Sequence, residues 1–195
     1  MYGVIIVKQV LRLKKDNKLK FTNEKKYSAK IKVLLIVVTI IVSGLLLPQK
    51  IVIPVKNATA SDWHTKTFWY EPWGKSGVHK GIDIFAKAGT PVIAATHGVV
   101  VYKANIQRGG NVVAILGPKW RIHYYAHLAE MNVHAGDYVS VAERIGTVGN
   151  SGNAKGKPPH LHYAILTIIP YLWRWDGATQ GWKKIIYLNP GMQLK

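Results

Sequence analysis

Two short patterns in this sequence could hold a metal ion: His79-Lys80-Gly81-Ile82-Asp83 and His160-Leu161-His162. In an extended strand, residues i and i+2 project from one face and lie roughly 6.6 Å apart along the chain. Both imidazoles of the second pattern can therefore face one cleft while Leu161 turns into a core. One can bind a metal while the other stands beside it. The first pattern is harder to place. Four strand steps separate two side chains by roughly 13 Å, too far for ligands that must each lie ~2.0–2.2 Å from one zinc ion. A bend is therefore predicted between His79 and Asp83, and Gly81 is the residue that permits it. A helix would bring the pair together directly, but Gly77, Gly81, Ile82 and Ile84 argue against one. A third element is His123-Tyr124-Tyr125-Ala126-His127. If it is extended, His123, Tyr125 and His127 share a face, and either histidine could look into the cleft.

A catalytic zinc site needs three protein ligands and an open position. His79, Asp83 and His162 would supply two imidazoles and a carboxylate. His127 and His160 would then be left to handle protons, since an unperturbed imidazole titrates near ~6.5. The chain has no cysteine, which excludes thiolate ligands, thiol catalysis and disulfides.

The elements that must position these residues read as β-structure. From Gly77 onward, short runs rich in Val, Ile and Tyr cover residues 81–85, 91–95, 98–102, 111–116, 122–127, 138–141, 144–148 and 161–168. Gly, Pro, Asn and Asp turn signals separate them. No long 3.6-residue apolar period interrupts the series. An all-β domain of many short antiparallel strands is predicted, in two packed or partly rolled sheets. Residues 133–149 read as a structural hairpin within it. Trp173, Trp175 and Trp182 near the C-terminus are expected to pack on the sheet.

The N-terminal third is different. Residues 33–47 carry no charge and are almost wholly apolar. Fifteen residues is short of the ~20 of an ordinary span, but Lys32 and Lys50 can snorkel to the two interfaces. One N-terminal transmembrane helix is predicted to precede the β-domain. Four segments follow: a basic cytoplasmic tail (1–32), a transmembrane anchor (33–55), a linker (56–76) and a zinc peptidase domain (77–195, core 77–168). The tail carries ten basic and two acidic side chains, so it stays in the cytoplasm and the later residues lie outside. It is expected to be weakly ordered. The alternative is a secreted protein cleaved near Ala60, where Ala58-Thr59-Ala60 has the small-x-small pattern.

Formal charge is +18, and residues 61–195 alone hold fifteen basic against seven acidic side chains. Such a surface favours polyanionic partners. No recognised DNA- or RNA-binding motif accompanies it, so nucleic acid is not an expected partner. Nothing in the pattern speaks for an oligomeric state.

The stretch from Gly77 to about Ile168 resembles the lysostaphin- or LytM-type zinc endopeptidases that cut peptidoglycan cross-links. The matching pieces are HKGIDIFAKAGTPVIAATHGVV, YYAHL, VHAGDYVSVAERIGTVGNSGN and PPHLHYAI, in the family's order. The resemblance implies that His79, Asp83 and His162 are the Zn²⁺ ligands and that His127 and His160 are the two catalytic histidines. It implies peptidoglycan peptide stems as the partner, with the bond cut either in a D-amino-acid cross-link or in a glycine bridge; the predicted anchor would put that cleavage at the outer face of a bacterial cytoplasmic membrane that the chain crosses once. The family usually has Glu two residues after the last ligand, where this chain has Ala164, so the orientation of that ligand could differ. His64, His97, His123 and His134 match no family site and are expected at the surface or the rim of the cleft.

Overall fold

The computed structural model describes residues 2–64 and 66–194, which form two compact units that meet at Leu46 and Leu47. The first is a single helix, α1, spanning Tyr2–Leu46. The basic segment expected to be weakly ordered is therefore helical. It holds no proline and only Gly3 among its glycines, and it is rich in Leu, Lys and Ile, which are good or tolerable helix formers. An apolar period was the wrong signal to ask for, because these residues need no packed face to be helical. The helix stops where Pro48 disfavours helical backbone at Leu47. Its stretch Lys26–Leu46 is 21 residues long with a mean hydropathy of 2.3, long and apolar enough to cross a membrane.

The second unit holds nine antiparallel strands. They are β1 (Ile82–Phe85), β2 (Pro91–Ile93), β3 (Gly98–Ile106), β4 (Gly110–Gly117), β5 (Arg121–Met131), β6 (Tyr138–Val139), β7 (Arg144–Val148), β8 (His160–Thr167) and β9 (Tyr187–Leu188). The main order is β1-β8-β5-β4-β3-β6, with β7 joining β2 to the end of β5 and β9 capping β8. All nine thus belong to one hydrogen-bonded network rather than to two separate sheets. The reason is β5, which pairs β8 and β4 along its first part and β7 at Leu128 and Met131. The expected hairpin at 133–149 also dissolves: β6 pairs β3, and β7 pairs β2 and β5. The turn between β6 and β7 is pinned elsewhere, with Ala142 N–H donating to Ala94 O and Ala94 N–H to Glu143 O.

The core lies under the middle strands. Leu161, Tyr163 and Ile165 of β8 are fully buried with Ile82 and Ile84 of β1 and Tyr125 of β5, each worth about 2 kcal/mol of burial. Because β8 alternates, His162, Ala164 and Leu166 face the other way.

The segment 51–55, read from sequence as the end of the anchor, lies on this unit as an extended strip. Val52 N–H donates to Ala95 O, Ile93 N–H to Pro54 O, and Lys56 N–H to Pro91 O. Ile51 and Ile53 pack against the core and Val55 is buried. It is a continuous apolar run, Ile51-Val52-Ile53-Pro54-Val55, which a count of consecutive apolar residues cannot distinguish from the end of a span. The tryptophans 173, 175 and 182 also depart from expectation, being 79%, 68% and 53% exposed. Leu188 of β9 and Leu194 do the packing instead.

His123 was expected near the surface and is fully buried. Arg121 Nη1 donates to Gln49 Oε1 at 2.8 Å, which orients that amide so that its Nε2 donates to His123 Nε2 at 3.0 Å. His123 Nδ1–H then faces the Tyr163 hydroxyl at 2.6 Å. Burial, with Arg121 adding to it, pushes the His123 imidazole down to about 3. The unfolded chain protonates this ring near ~6.5 while the folded chain keeps it neutral, so stability is present above that pH and lost as pH falls from ~6.5 toward 3. Urea unfolding of the wild type should lose about 1–2 kcal/mol more than His123→Phe between pH 6.5 and 5. Parallel losses in the two proteins would refute this account.

Candidate metal centre

β8 lies between β1 and β5, so its side chains meet both. Asp83 stands opposite His162 across the β1–β8 pair, and Ala126 stands opposite His162 across the β5–β8 pair. His79 lies ahead of β1, beyond a bend at Gly81. The predicted bend is present, but the reason for glycine is proximity. A Cβ on Gly81 would lie 2.5 Å from the Tyr163 carbonyl oxygen and 2.9 Å from His162 Cε1. Only a residue without a side chain lets this turn press against β8.

The result is a cluster of three ligand atoms, His79 Nε2, Asp83 Oδ1 and His162 Nδ1. Asp83 Oδ1 is 3.1 Å from His79 Nε2 and 2.8 Å from His162 Nδ1, and the two nitrogens are 3.1 Å apart. His79 Nδ1 is 3.1 Å from the Thr67 carbonyl. A carbonyl only accepts, so Nδ1 carries the proton and Nε2 turns a lone pair into the cluster. A lone pair and a carboxylate oxygen converge there with a third nitrogen, all largely shielded from water. Such a set offers converging donors to a cation. Burial alone would raise the Asp83 carboxyl, but the hydrogen bond with His162 at 2.8 Å opposes it, and that group lies far below the usual carboxylate range. Trp73 stacks on His79 with ring centroids 4.0 Å apart and shields its outer face. The donor set of two imidazoles and one carboxylate, with the tautomer of His79 fixed from behind, fits zinc.

His127 and His160 stand beside this cluster. Their ring centroids are 5.1 Å apart, and His127 is 5.9 Å from His162. His160 Nε2 lies 3.9 Å from Asp83 Oδ2. Each ring donates Nδ1–H to a main-chain carbonyl, His127 to Ser151 at 2.9 Å and His160 to Pro158 at 2.8 Å. Each therefore keeps Nε2 available as a base. Burial, reinforced by His162 and His160, pushes the His127 imidazole down to about 4.

The expectation that His123, Tyr125 and His127 share one face fails at a β-bulge. Between the pairs Val113–Tyr125 and Asn111–Leu128, Ala126 and His127 of β5 stand against Val112 alone. His127 takes the left-handed backbone conformation (φ 64°), and its N–H donates to Gly109 O. The extra residue turns the ring out of the core face that His123 and Tyr125 occupy. A bulge has no strong sequence signal when the left-handed residue is histidine instead of glycine. The carbonyls of Thr67, Ser151 and Pro158 were also missed, since a main-chain acceptor looks the same in every residue.

A cleft of about 760 Å³ opens over the cluster and is lined by His79, His127, His162, Trp73, Tyr124 and Tyr187, among others. Ala164 lines it as well, on the cleft face of β8. Burial, with Lys183 and Arg108 nearby, lowers the Lys80 amine from its ordinary value.

Residues 77–170 match the sequence profile of Peptidase family M23. The chain is 36% identical over 114 residues to the L-Ala--D-Glu endopeptidase of Bacillus subtilis (strain 168), covering 54% of this chain and 35% of that protein. It is 40% identical over 93 residues to the peptidoglycan DD-endopeptidase ShyC of Vibrio cholerae, covering 48% of this chain and 21% of that one. The chain thus spans about a fifth to a third of the length of these curated relatives. Among solved structures, the antimicrobial peptidase lysostaphin from Staphylococcus simulans superposes with a TM-score of 0.50 at 28% identity, over 64% of this chain and 46% of that chain.

Proposed function

We propose, on the premise that this chain belongs to peptidase family M23, that it is a zinc-dependent endopeptidase that hydrolyses peptide cross-links of bacterial peptidoglycan. His79, Asp83 and His162 would hold the ion, and His127 and His160 would carry the protons. The observation that carries this reading is the convergence of His79 Nε2, Asp83 Oδ1 and His162 Nδ1, with the Thr67 carbonyl holding the proton of His79 away from the cluster. The names of the two curated relatives, an L-Ala--D-Glu endopeptidase and a peptidoglycan DD-endopeptidase, support the substrate class.

Bound at this cluster, zinc would lower the pKa of water toward ~7 and polarise the scissile carbonyl. The remaining work falls to side chains. His127 and His160 are fixed by their Nδ1–H bonds to Ser151 and Pro158, so neither ring must reorient during reaction. One accepts a proton at Nε2 from the attacking water. The other, entering the step with its own Nε2 protonated, would donate to the charge growing on the carbonyl oxygen, and the proton taken from the water would pass from the first ring to the leaving amine. The neutral state that burial imposes on His127 suits the base. Trp73, stacked on His79, shields that ring on the wall of the cleft.

The test is mass analysis of muropeptides released from purified cell wall by the full chain, with and without a chelator. New amino termini should appear, and chelation should abolish them until zinc is restored. Release that survives exhaustive chelation would sink the proposal.

The location follows from α1. With a basic segment before an apolar stretch of 21 residues, we infer that the helix crosses the cytoplasmic membrane once and leaves the β-domain outside. A reporter enzyme that is active only outside the cytoplasm, fused after Lys195, should therefore be active; silence there with activity of a cytoplasmic reporter would reverse the topology.

A further inference from the structure

The cleft is positively charged by five residues from four separate stretches of the sequence. Lys75 comes from the 3-10 turn Gly74–Ser76, Lys80 from the approach to β1, and Arg108 from the β3–β4 turn. Lys157 comes from the segment before β8 and Lys183 from the 3-10 turn Gly181–Ile185. No Asp or Glu is among the residues that line it. Among the described residues none of these cations makes an ion pair, whereas Arg144 and Lys184 elsewhere pair with Glu130 and Asp176. The two half-buried ones are held by neutral acceptors. Lys80 Nζ donates to Ser76 O and Val78 O, and Lys183 Nζ donates to Gln180 Oε1 at 2.8 Å. A smaller hollow of about 340 Å³ continues from it past Lys75, Arg108 and Lys157. Like charges gathered in a concavity repel one another and raise the local concentration of anions. Four stretches this far apart in sequence do not collect five cations without an ion pair as the by-product of one charge run.

The geometry points to a substrate that carries free carboxylates near the scissile bond, held by Lys80 and Lys183, which line the cleft with the histidines, and by Lys75, Arg108 and Lys157, which line both the cleft and the smaller hollow. This rests on the hydrolytic reading above and narrows it: the preferred chain is an acidic stem peptide, and a neutral glycine bridge is a poor substrate. A phosphate polymer fits the charge but has no peptide bond to present to the histidines that share the cleft.

Binding and cleavage are measured separately, so that the two readings can fail separately. Fluorescence anisotropy with the zinc-loaded full chain compares an un-cross-linked tetrapeptide stem bearing free carboxylates with the same stem amidated. The free acid should bind at least about tenfold more tightly at low salt, a margin that shrinks as salt screens the charges. R108Q/K183Q should bring the ratio toward one while circular dichroism and zinc content match the wild type. If that pair fails to fold, K75Q/K157Q, on exposed positions, should reduce the ratio instead. Equal binding of the two stems overturns the inference whether or not anything is cut. Tighter binding of a poly(glycerol phosphate) oligomer than of the free-acid stem also overturns it, assigning the charge to a phosphate polymer. A tenfold preference without cleavage of the cross-linked dimers supports it and refutes the hydrolytic reading alone.

Discussion

Replacing His162 by alanine should remove zinc and peptidase activity together. Zinc analysis is expected to fall from about one ion per chain to near zero, and kcat/KM by more than about a thousandfold, beyond the ~10²–10³ typical for loss of one transition-state hydrogen-bond donor. The reason is geometric. His162 lies between β1 and β5 and is the member of the cluster nearest to Asp83, at 2.8 Å. Without its Nδ1, only His79 and Asp83 remain, and two ligands do not hold a catalytic zinc ion. The side chain lies on the cleft face of β8, opposite the buried Leu161 and Tyr163, so truncation creates no core cavity and the backbone pairing stays. Circular dichroism should therefore be unchanged. A variant that keeps a full equivalent of zinc would show that His162 is not a ligand.

His127→Ala should separate what His162→Ala removes as one. Its ring donates to Ser151 O and lies 5.9 Å from the ring of His162, outside the three-atom cluster. Zinc content should stay at the wild-type level while kcat/KM falls by about 10²–10⁴, the usual contribution of a general acid or base. Position 127 has φ 64°, where alanine costs roughly 1–2 kcal/mol. His127→Asn is the companion variant, since asparagine tolerates this conformation. Both should retain the metal and lose the activity. Loss of zinc from both would mean that His127 belongs to the ligand set and that proton transfer lies elsewhere.

The spacing of His79 and Asp83 demanded a bend, and the alternation of His160, Leu161 and His162 demanded a shared face. Both features are present, because they follow from strand geometry and local sequence alone. The β-character of the second unit was legible for the same reason, since runs of Val, Ile and Tyr between turn residues need no distant information. What failed was wherever a residue's partner is remote. His123 lies in the core because Gln49 and Tyr163 satisfy both its nitrogens, and nothing near it in sequence announces either. Residues 51–55 joined the β-domain because an unsatisfied main-chain row beside β2 was there to receive them.

Residue types and spacing by themselves determined which atoms could bind a metal, that cysteine chemistry is impossible, and that short strands would carry His127, His160 and His162. The tertiary structure alone decided that β8 would lie between β1 and β5, that a bulge would turn His127 into the cleft, and that five cations from four distant stretches would share one cleft. The division has one physical cause: local geometry is set by neighbours along the chain, whereas burial, tautomer and net local charge depend on groups that only folding brings within a few ångströms.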